Sequence, residues 1–334
     1  MLQDVNNETL QNESPILSVK DLTVHYETDT GVVEALTGVN LQMKKGETLG
    51  LVGETGAGKS TLALSIMGLL PYPPSHVIHG EIEFEGNNLF ELSNDAMRKI
   101  RGKKISMIFQ DPMTALNPVQ KVGDQIAEVI GLHQNLKGKE LMLAAMDMLK
   151  MVGIQPERYN DYPHQFSGGM KQRVVIAMAL ACKPDLIIAD EPTTALDVTI
   201  QAQILEMMRD LREQLNTSML LITHDFGIVA DICTKCAVIY AGEIVEFGTV
   251  EQIFDNPLHP YTVGLFNSLP SLEKDVRRLN PICGMMADPM NLPNHCSFYD
   301  RCQSCSERCR EGDPQMIEVE PEHFVRCYRI AGGV

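Results

Sequence analysis

The sequence predicts an α/β fold with a mixed, mostly parallel sheet at its core, followed by a small cysteine-rich C-terminal extension. Short apolar runs of strand type alternate with segments whose apolar residues recur at helical spacing, which is typical of parallel sheets covered on both faces. A glycine-rich loop directly follows one of these runs and precedes a helical segment. Beyond about residue 250 prolines and cysteines become frequent, so long elements are not expected there.

The strands and helices of the core are predicted from short apolar runs, from alternation of polar and apolar residues, and from apolar residues at helical spacing. Strand-type runs are Ile16–Tyr26, Leu49–Gly53, Glu81–Glu85, Ile105–Phe109, Leu186–Ala189, Met219–Thr223 and Ala237–Tyr240. A helix is predicted over Thr61–Leu70, where small and apolar residues follow the glycine-rich loop, and helical spacing predicts further helices in Val122–Ile154 and Ile200–Leu215. The first of these helices is expected to end at Pro71, because proline cannot continue a helix.

Three regions follow from this pattern. Residues 1–15 are polar and acidic and are predicted to be disordered. Residues 16–250 are predicted to form the core domain, with an inserted helical subdomain at about residues 115–180. Residues 251–334 form the extension.

Charge and hydropathy exclude several classes of function. The net charge of −16 argues against broad electrostatic binding to nucleic acid or anionic lipid, so any membrane contact is expected through a protein partner. The longest apolar run, Val174–Cys182, has nine residues, whereas a membrane-spanning helix needs roughly 20. The N-terminus lacks the basic and apolar regions of a secretory signal, so we expect the chain to stay in the cytosol.

The glycine-rich loop is typical of a phosphate site. Gly53-Glu-Thr-Gly-Ala-Gly-Lys-Ser60 fits the pattern G-x-x-x-x-G-K-[ST], in which backbone N–H groups surround phosphate oxygens. The lysine would neutralise phosphate charge and the serine hydroxyl would hold Mg²⁺. The candidate nucleotide-binding residues here are Gly53, Gly56, Gly58, Lys59, Ser60 and Thr61.

Two acids follow the apolar run Leu186–Ala189. Ligands of open α/β sheets bind at the carboxyl ends of strands, which is where Asp190 and Glu191 stand. Adjacent residues of a strand point to opposite faces, so the two acids can have different tasks. Asp190 would hold Mg²⁺ through water, and Glu191 would act as general base on the attacking water.

Between the loop and the acids lies the sequence Ser167-Gly168-Gly169. The three motifs in this order resemble the ATP-binding cassette of ABC proteins, over about residues 16–250. The family signature is usually Leu-Ser-Gly-Gly-Gln, whereas this chain has Phe166-Ser-Gly-Gly-Met170, which is similar to the peptide-importer branch. The resemblance implies that the serine and glycines complete the ATP site of a second cassette.

The same resemblance implies four further roles. Gln110 in Phe-Gln-Asp-Pro would sense Mg²⁺ and the water and couple to membrane subunits, and His224 in Ile-Thr-His-Asp would contact the γ-phosphate. Asp197 in Ala-Leu-Asp corresponds to the loop where two cassettes meet. Tyr26 would stack on adenine, although an aromatic on an edge strand is an equally good interpretation.

Six of the nine cysteines fall within the last 52 residues. The series Cys296-x5-Cys302-x6-Cys309, with Cys327 further on, supplies four thiolates, enough for one zinc ion or one iron–sulfur cluster. Zinc sites usually contain two close cysteine pairs, and only Cys302-x2-Cys305 resembles one, so the spacing favours a cluster.

The extension resembles the C-terminal region of ATPase subunits from oligopeptide and dipeptide importers. The resemblance rests on His259-Pro-Tyr-Thr262 and on the cysteine series, and it implies a [4Fe–4S] cluster on Cys296, Cys302, Cys309 and Cys327. Cys283 and Cys305 stand outside the pattern, and either can replace a ligand. A structural crosslink and a redox or oxygen sensor are both open as the task of the cluster.

These resemblances imply an ATP-hydrolysing subunit of an ABC importer for di- or oligopeptides, bound peripherally at the cytoplasmic face of the membrane. The implied partners are a second, related cassette, two membrane-spanning subunits and an external peptide-binding protein. An importer of nickel or another small solute is the nearest alternative. A soluble ABC ATPase acting on ribosomes or nucleic acid is a second alternative, opposed by the single cassette, the trailing cysteines and the acidic charge.

Overall fold

The computed structural model describes residues 15–194, 196–268 and 281–331. The segment predicted to be disordered lies outside these residues except for residue 15. The chain divides into two compact units. The first unit includes Lys44–Thr48 and Asn88–Ile222, and the second includes Leu17–Met43, Leu49–Asn87 and the described part of residues 223–334.

Both units contain strands and helices. The strands are β1 Leu17–Thr28, β2 Gly31–Met43, β3 Thr48–Val52, β4 Ser75–Phe84, β5 Asn87–Asn88, β6 Ile105–Ile108, β7 Leu186–Asp190, β8 Ser218–Thr223, β9 Lys235–Tyr240, β10 Glu243–Thr249, β11 Ile317–Glu320 and β12 His323–Val325. The helices are α1 Lys59–Met67, α2 Asn94–Ile100, α3 Pro112–Ala115, α4 Val122–His133, α5 Gly138–Met151, α6 Gly168–Leu180, α7 Val198–Leu215, α8 Phe226–Ile232, α9 Val250–Asp255, α10 Pro260–Asn267, α11 Arg308–Glu311 and α12 Tyr328–Ala331.

Parallel strands form the centre of the first unit. β7 pairs in parallel with β6 on one side and with β8 on the other. Every residue of β7 and β8 is buried, which agrees with the apolar runs Leu186–Ala189 and Met219–Ile222 that they contain. The helices α4, α5 and α6 pack against one another in the same unit, and α6 also contacts β6 and α7.

The second unit combines antiparallel and parallel pairing. β1 lies between β2 and β4 in an antiparallel sheet. In another set of strands, β9 pairs in parallel with β3 and antiparallel with β10, which continues to β12 and β11. A buried aromatic cluster joins Val52 at the end of β3 to Tyr240, Tyr261 and Phe298.

Two predicted elements have clearly different bounds. The helix expected to reach Leu70 ends at Met67, because Gly68 adopts a left-handed conformation (φ 58°) and its N–H bonds back to the helix, three residues before Pro71. The stretch predicted to be helical over Val122–Ile154 contains two helices, since the chain is extended at Lys137 between them. The strand predicted at Glu81–Glu85 begins at Ser75, where it pairs with β1.

No helix in the part of the chain that the structure describes is long and apolar enough to cross a membrane.

A buried carboxylate joins the extension to the sheet of the second unit. Glu246 on β10 is fully buried and accepts hydrogen bonds from the backbone N–H groups of Leu258 (2.7 Å) and His259 (3.0 Å). The Nε2 atom of His323 on β12, which is also fully buried, lies 3.0 Å from the same carboxylate. One side chain therefore fixes β12 and the start of α10 to β10.

Replacing this carboxylate should destabilise the protein strongly. In Glu246→Ala, His323 and two N–H groups lose their buried acceptor, so we expect a loss of about 3 kcal/mol and a clearly lower midpoint of thermal unfolding. Glu251→Ala is the control, because Glu251 is exposed and lies in the next helix of the same region. Equal midpoints for the two variants would contradict this account.

Candidate functional site

The glycine-rich loop of the second unit connects β3 to α1 and is closed by its own lysine. The ammonium of Lys59, whose side chain is buried, donates to the backbone carbonyls of Gly53 (2.8 Å) and Glu54 (2.9 Å). α1 begins at Lys59, so the N–H groups of its first turn face the loop. This is the strand, loop and helix arrangement that binds phosphate at a helix N-terminus.

Glycine is required by space at two positions of the loop and by backbone conformation at two. A Cβ at Gly53 would lie 2.3 Å from the carbonyl oxygen of Ile239, and one at Gly58 would lie 2.6 Å from that of Ala35. Gly58 also has φ 103°, a conformation that other residues rarely adopt. Gly56 is left-handed too, with φ 85°. The loop thus depends on glycine at each predicted position.

The remaining predicted residues of this unit differ in surroundings. Ser60 is exposed and Thr61 is half-buried in the first turn of α1. The hydroxyl of Tyr26, on β1, donates to Thr61 Oγ1 at 3.5 Å, so the predicted adenine-stacking residue contacts the helix that follows the loop. His224 is exposed between β8 and α8, and Asp225 beside it caps α8.

In the first unit, two predicted residues are brought together at the carboxyl ends of neighbouring parallel strands. Gln110 follows β6, Glu191 follows β7, and Gln110 Nε2 donates to Glu191 Oε2 at 2.8 Å. The hydroxyl of Thr194, which the sequence analysis missed, donates to the same oxygen at 2.9 Å. Asp190 is buried at the end of β7. Two donors therefore orient the Glu191 carboxylate.

The predicted signature residues lie at the exposed start of α6. Ser167 is the N-cap of this helix and accepts a hydrogen bond from the Met170 N–H at 3.4 Å. Asp197 similarly caps α7 by accepting from Ile200 N–H at 3.0 Å. A Cβ at Gly169 would lie 2.5 Å from Ile200 Cγ2, so the starts of the two helices are in close contact. The structure places Ser167, Gly168, Gly169 and Asp197 in one region of the first unit.

Four predicted cluster ligands line one small cavity in the second unit. Cys296, Cys302, Cys309 and Cys327 surround it, together with Cys305, whereas Cys283 is exposed elsewhere in the extension. Burial, with a smaller contribution from the neighbouring thiols, raises the pKa of Cys296 to about 12. Burial also raises the pKa values of Cys302 and Cys327.

Among the described residues, no group of three or more His, Cys, Asp or Glu side chains is arranged to hold a metal ion. The cysteines surround a common space without forming a ligand set as they stand.

Two residues that contact the phosphate loop, Arg301 and Tyr261, were missed by the sequence analysis. Arg301 forms two hydrogen bonds with the carboxylate of Glu54, from Nη1 at 2.7 Å and from Nη2 at 2.9 Å. Tyr261 Oη accepts a hydrogen bond from the Glu54 N–H at 2.9 Å. The only sequence signal for these contacts was the acid Glu54 within the glycine-rich loop. The neighbouring sequence does not indicate which residues bind it.

Comparison with known proteins identifies both parts of the chain. The family model for ABC transporters matches residues 36–194, and the model for the C-terminal region of oligopeptide/dipeptide transporters matches residues 245–309. The chain is 51% identical to the oligopeptide transport ATP-binding protein OppD of Bacillus subtilis, over 94% of this chain and 89% of that protein. It is 48% identical to the dipeptide transport ATP-binding protein DppD of Lactococcus lactis, over 95% and 92%.

Solved structures agree with this relationship. A dimeric ATP-binding cassette in a post-hydrolysis state, bound to ADP and Pi, has a TM-score of 0.63 and 29% identity, covering 70% of this chain and 98% of its own. The cbiO1 protein from Clostridium perfringens, part of an ABC transporter complex, has the same score and identity, covering 73% and 92%. The predicted α/β cassette fold is confirmed. The chain therefore belongs to the ABC transporter family, in the branch of oligopeptide and dipeptide transport ATP-binding subunits.

Proposed function

We propose that this chain hydrolyses ATP at the cytoplasmic face of a cell membrane and thereby drives the import of di- and oligopeptides. The hydrogen bond between Gln110 and Glu191 is the observation that carries the hydrolytic role, since it orients a carboxylate at the carboxyl end of a buried parallel strand. The peptide substrate follows from the names of the relatives and from the matched C-terminal region.

The phosphate loop binds the nucleotide in this proposal. Lys59 neutralises charge on the β- and γ-phosphates, and backbone N–H groups of the loop after Glu54 and of the first turn of α1 bind phosphate oxygens. Mg²⁺, when bound, neutralises further phosphate charge, and Ser60, Asp190 and Gln110 are the residues that would hold it. Tyr26 stacks on the adenine and His224 contacts the γ-phosphate.

Glu191 takes the proton of the attacking water. A carboxylate is effective as a general base only when one lone pair faces the water, and the hydrogen bonds from Gln110 and Thr194 fix its orientation. Gln110 is exposed, so it can transmit a change at Glu191 to a protein bound at this surface. That protein is a membrane-spanning subunit in our proposal.

Two cassettes are needed for turnover. The start of α6 is exposed, and its N–H groups and the Ser167 hydroxyl form an anion-binding group that suits the ATP of a second cassette. Gly168, Gly169 and Asp197 belong to the same dimer surface. We propose that the second cassette is a related but different chain, and that two membrane-spanning subunits and an external peptide-binding protein complete the importer.

Glu191→Gln should abolish turnover without abolishing ATP binding. The amide keeps the size of the side chain but cannot accept a proton, so we expect ATP hydrolysis by the assembled importer to fall by about 10² or more. Glu206→Gln, an exposed site on α7, is the matched control and should retain the wild-type rate. Unchanged turnover in Glu191→Gln would show that another group is the base.

The transported solute is tested by reconstitution. The chain is purified with its membrane subunits in liposomes, and ATP hydrolysis is measured with the external binding protein and either di- and oligopeptides or Ni²⁺. We expect stimulation by peptides alone. Stimulation by Ni²⁺ and not by peptides would assign the chain to a metal importer and leave its ATPase role intact.

We further propose that Cys296, Cys302, Cys309 and Cys327 ligate a [4Fe–4S] cluster. Their shared cavity supports the proposal, because cluster ligands must converge on one space. The cluster would join residues 296–309 to residue 327 as a crosslink in an extension of short elements. Cys305 lines the same cavity and is the alternative fourth ligand.

Anaerobically purified protein should be brown and contain about four iron atoms per chain. Cys309→Ser should remove most of the iron, whereas Cys283→Ser should retain it, since Cys283 does not line the cavity. A colourless wild-type protein that carries one zinc ion after anaerobic preparation would refute the cluster. If Cys327→Ser keeps its iron and Cys305→Ser loses it, then Cys305 is the fourth ligand in place of Cys327.

A further inference from the structure

We propose that Arg301 and Tyr261 are positioning residues that hold Glu54 of the phosphate loop, so that the ordered cysteine-bearing segment of the extension sets the affinity for ATP. The inference rests on the proposed ATP binding by this loop. It assigns to the extension a direct effect on the nucleotide site, in addition to any role of its cysteines.

Glu54 is held through all of its polar groups. Its carboxylate accepts two hydrogen bonds from the Arg301 guanidinium, at 2.7 and 2.9 Å, in the bidentate geometry that is strongest between these groups. Its N–H donates to Tyr261 Oη at 2.9 Å, and its carbonyl accepts from Lys59 Nζ at 2.9 Å. A shift of Arg301 or Tyr261 would therefore move the backbone to which the phosphate-binding lysine is bonded.

Both partners of Glu54 are anchored in the protein interior. Tyr261 is fully buried, and its ring contacts those of Tyr240 and Phe298 at centroid distances of 4.7 and 5.4 Å. The Arg301 side chain is only 6% exposed, and its guanidinium lies 5.7 Å from the Tyr240 ring centroid. The hydrogen bonds with Glu54 raise the pKa of Arg301. Both side chains are therefore held by packing as well as by their hydrogen bonds with Glu54.

Arg301 is part of the cysteine-bearing segment. It ends the short 3₁₀ turn Tyr299–Arg301 and directly precedes Cys302. The turn starts from a hydrogen bond of the Tyr299 N–H to the Cys296 carbonyl at 2.9 Å, and the Cys302 N–H bonds back to the Tyr299 carbonyl at 3.1 Å. The turn that presents Arg301 is thus fixed at both ends by cysteine residues that line the cavity.

A second part of the extension also lies against the loop. A Cβ at Gly56 would meet Met286 Cε at 3.3 Å, so this methionine packs on the tip of the glycine-rich loop. Arg301 Nε donates to the Cys283 carbonyl at 3.3 Å, which connects this irregular segment of the extension to the same guanidinium. The extension therefore contacts the loop at both Glu54 and Gly56.

Linkage makes the coupling reciprocal. If order in the segment favours the ATP-binding form of the loop, then ATP must favour order in the segment by the same factor. The coupling can therefore be measured in two ways, as the affinity for nucleotide and as the protection of the segment from amide hydrogen exchange. A purely structural role of Arg301 would not change both together.

The test uses the full-length chain and a fluorescent ATP analogue with Mg²⁺. We expect Arg301→Ala to weaken binding about tenfold, the loss typical of a charged hydrogen-bonded pair. Tyr261→Phe keeps the packing but removes the acceptor of the Glu54 N–H, and should weaken binding roughly threefold. Arg310→Ala is the matched control, because Arg310 is exposed in the same segment and its guanidinium lies over Tyr299 instead of the loop.

Two further measurements exclude a general loss of fold. The charge exchange Glu54→Arg with Arg301→Glu should recover part of the affinity lost in Arg301→Ala. In wild-type protein and Arg310→Ala, Mg²⁺-ATP should slow amide hydrogen exchange in residues 299–309, and this effect should disappear in Arg301→Ala.

Equal affinities in Arg301→Ala, Tyr261→Phe and Arg310→Ala would overturn the inference and leave the ATPase proposal standing. If Arg301→Ala does not fold, Tyr261→Phe becomes the deciding variant. An affinity of Tyr261→Phe equal to that of the wild-type protein would then overturn the inference. Failure of the wild-type chain to bind the analogue would instead refute the proposed nucleotide site.

Discussion

At Gly53 the chain passes so close to β9 that a Cβ would lie 2.3 Å from the carbonyl oxygen of Ile239. This approach follows from the parallel pairing of β3 with β9, which carries the chain straight from a buried strand into the phosphate loop. Lys59 then closes the loop through the carbonyls of Gly53 and Glu54. The position of the loop is therefore determined by the sheet, and the charge that it offers to phosphate is determined by one buried lysine.

The extension depends on the same sheet through two carboxylates. Glu246 fixes β12 and the start of α10 to β10 in a fully buried arrangement. Glu54 fixes the segment before Cys302 to the loop itself. Buried and bidentate pairs require exact geometry, so a change in the extension cannot remain local. Tyr261 and Phe298 of the extension belong to the buried cluster of the second unit.

Local sequence was sufficient for elements whose signals lie within a few residues. β3, β7 and β8 were predicted because uninterrupted apolar runs indicate buried strands, and Thr61 was correctly placed in a helix after the glycine-rich loop. The end of that helix was misplaced, because Pro71 is the stronger sequence signal while Gly68 adopts the left-handed conformation first. β2 was not predicted, since many of its residues are only partly buried and the alternation of polar and apolar residues is weak.

The sequence by itself determined the chemistry of the chain. The glycine-rich loop, the acids after a buried strand, the serine and glycines before α6 and the cysteine series all depend on residue type and spacing, which are local properties. Tertiary structure alone decided which of these groups meet. Gln110 and Glu191 are 81 positions apart and Glu54 and Arg301 are 247 apart, yet each pair is hydrogen-bonded. The spacing of residues along the chain determines local helices and strands. Contacts between distant residues form only when the strands pair and the core packs.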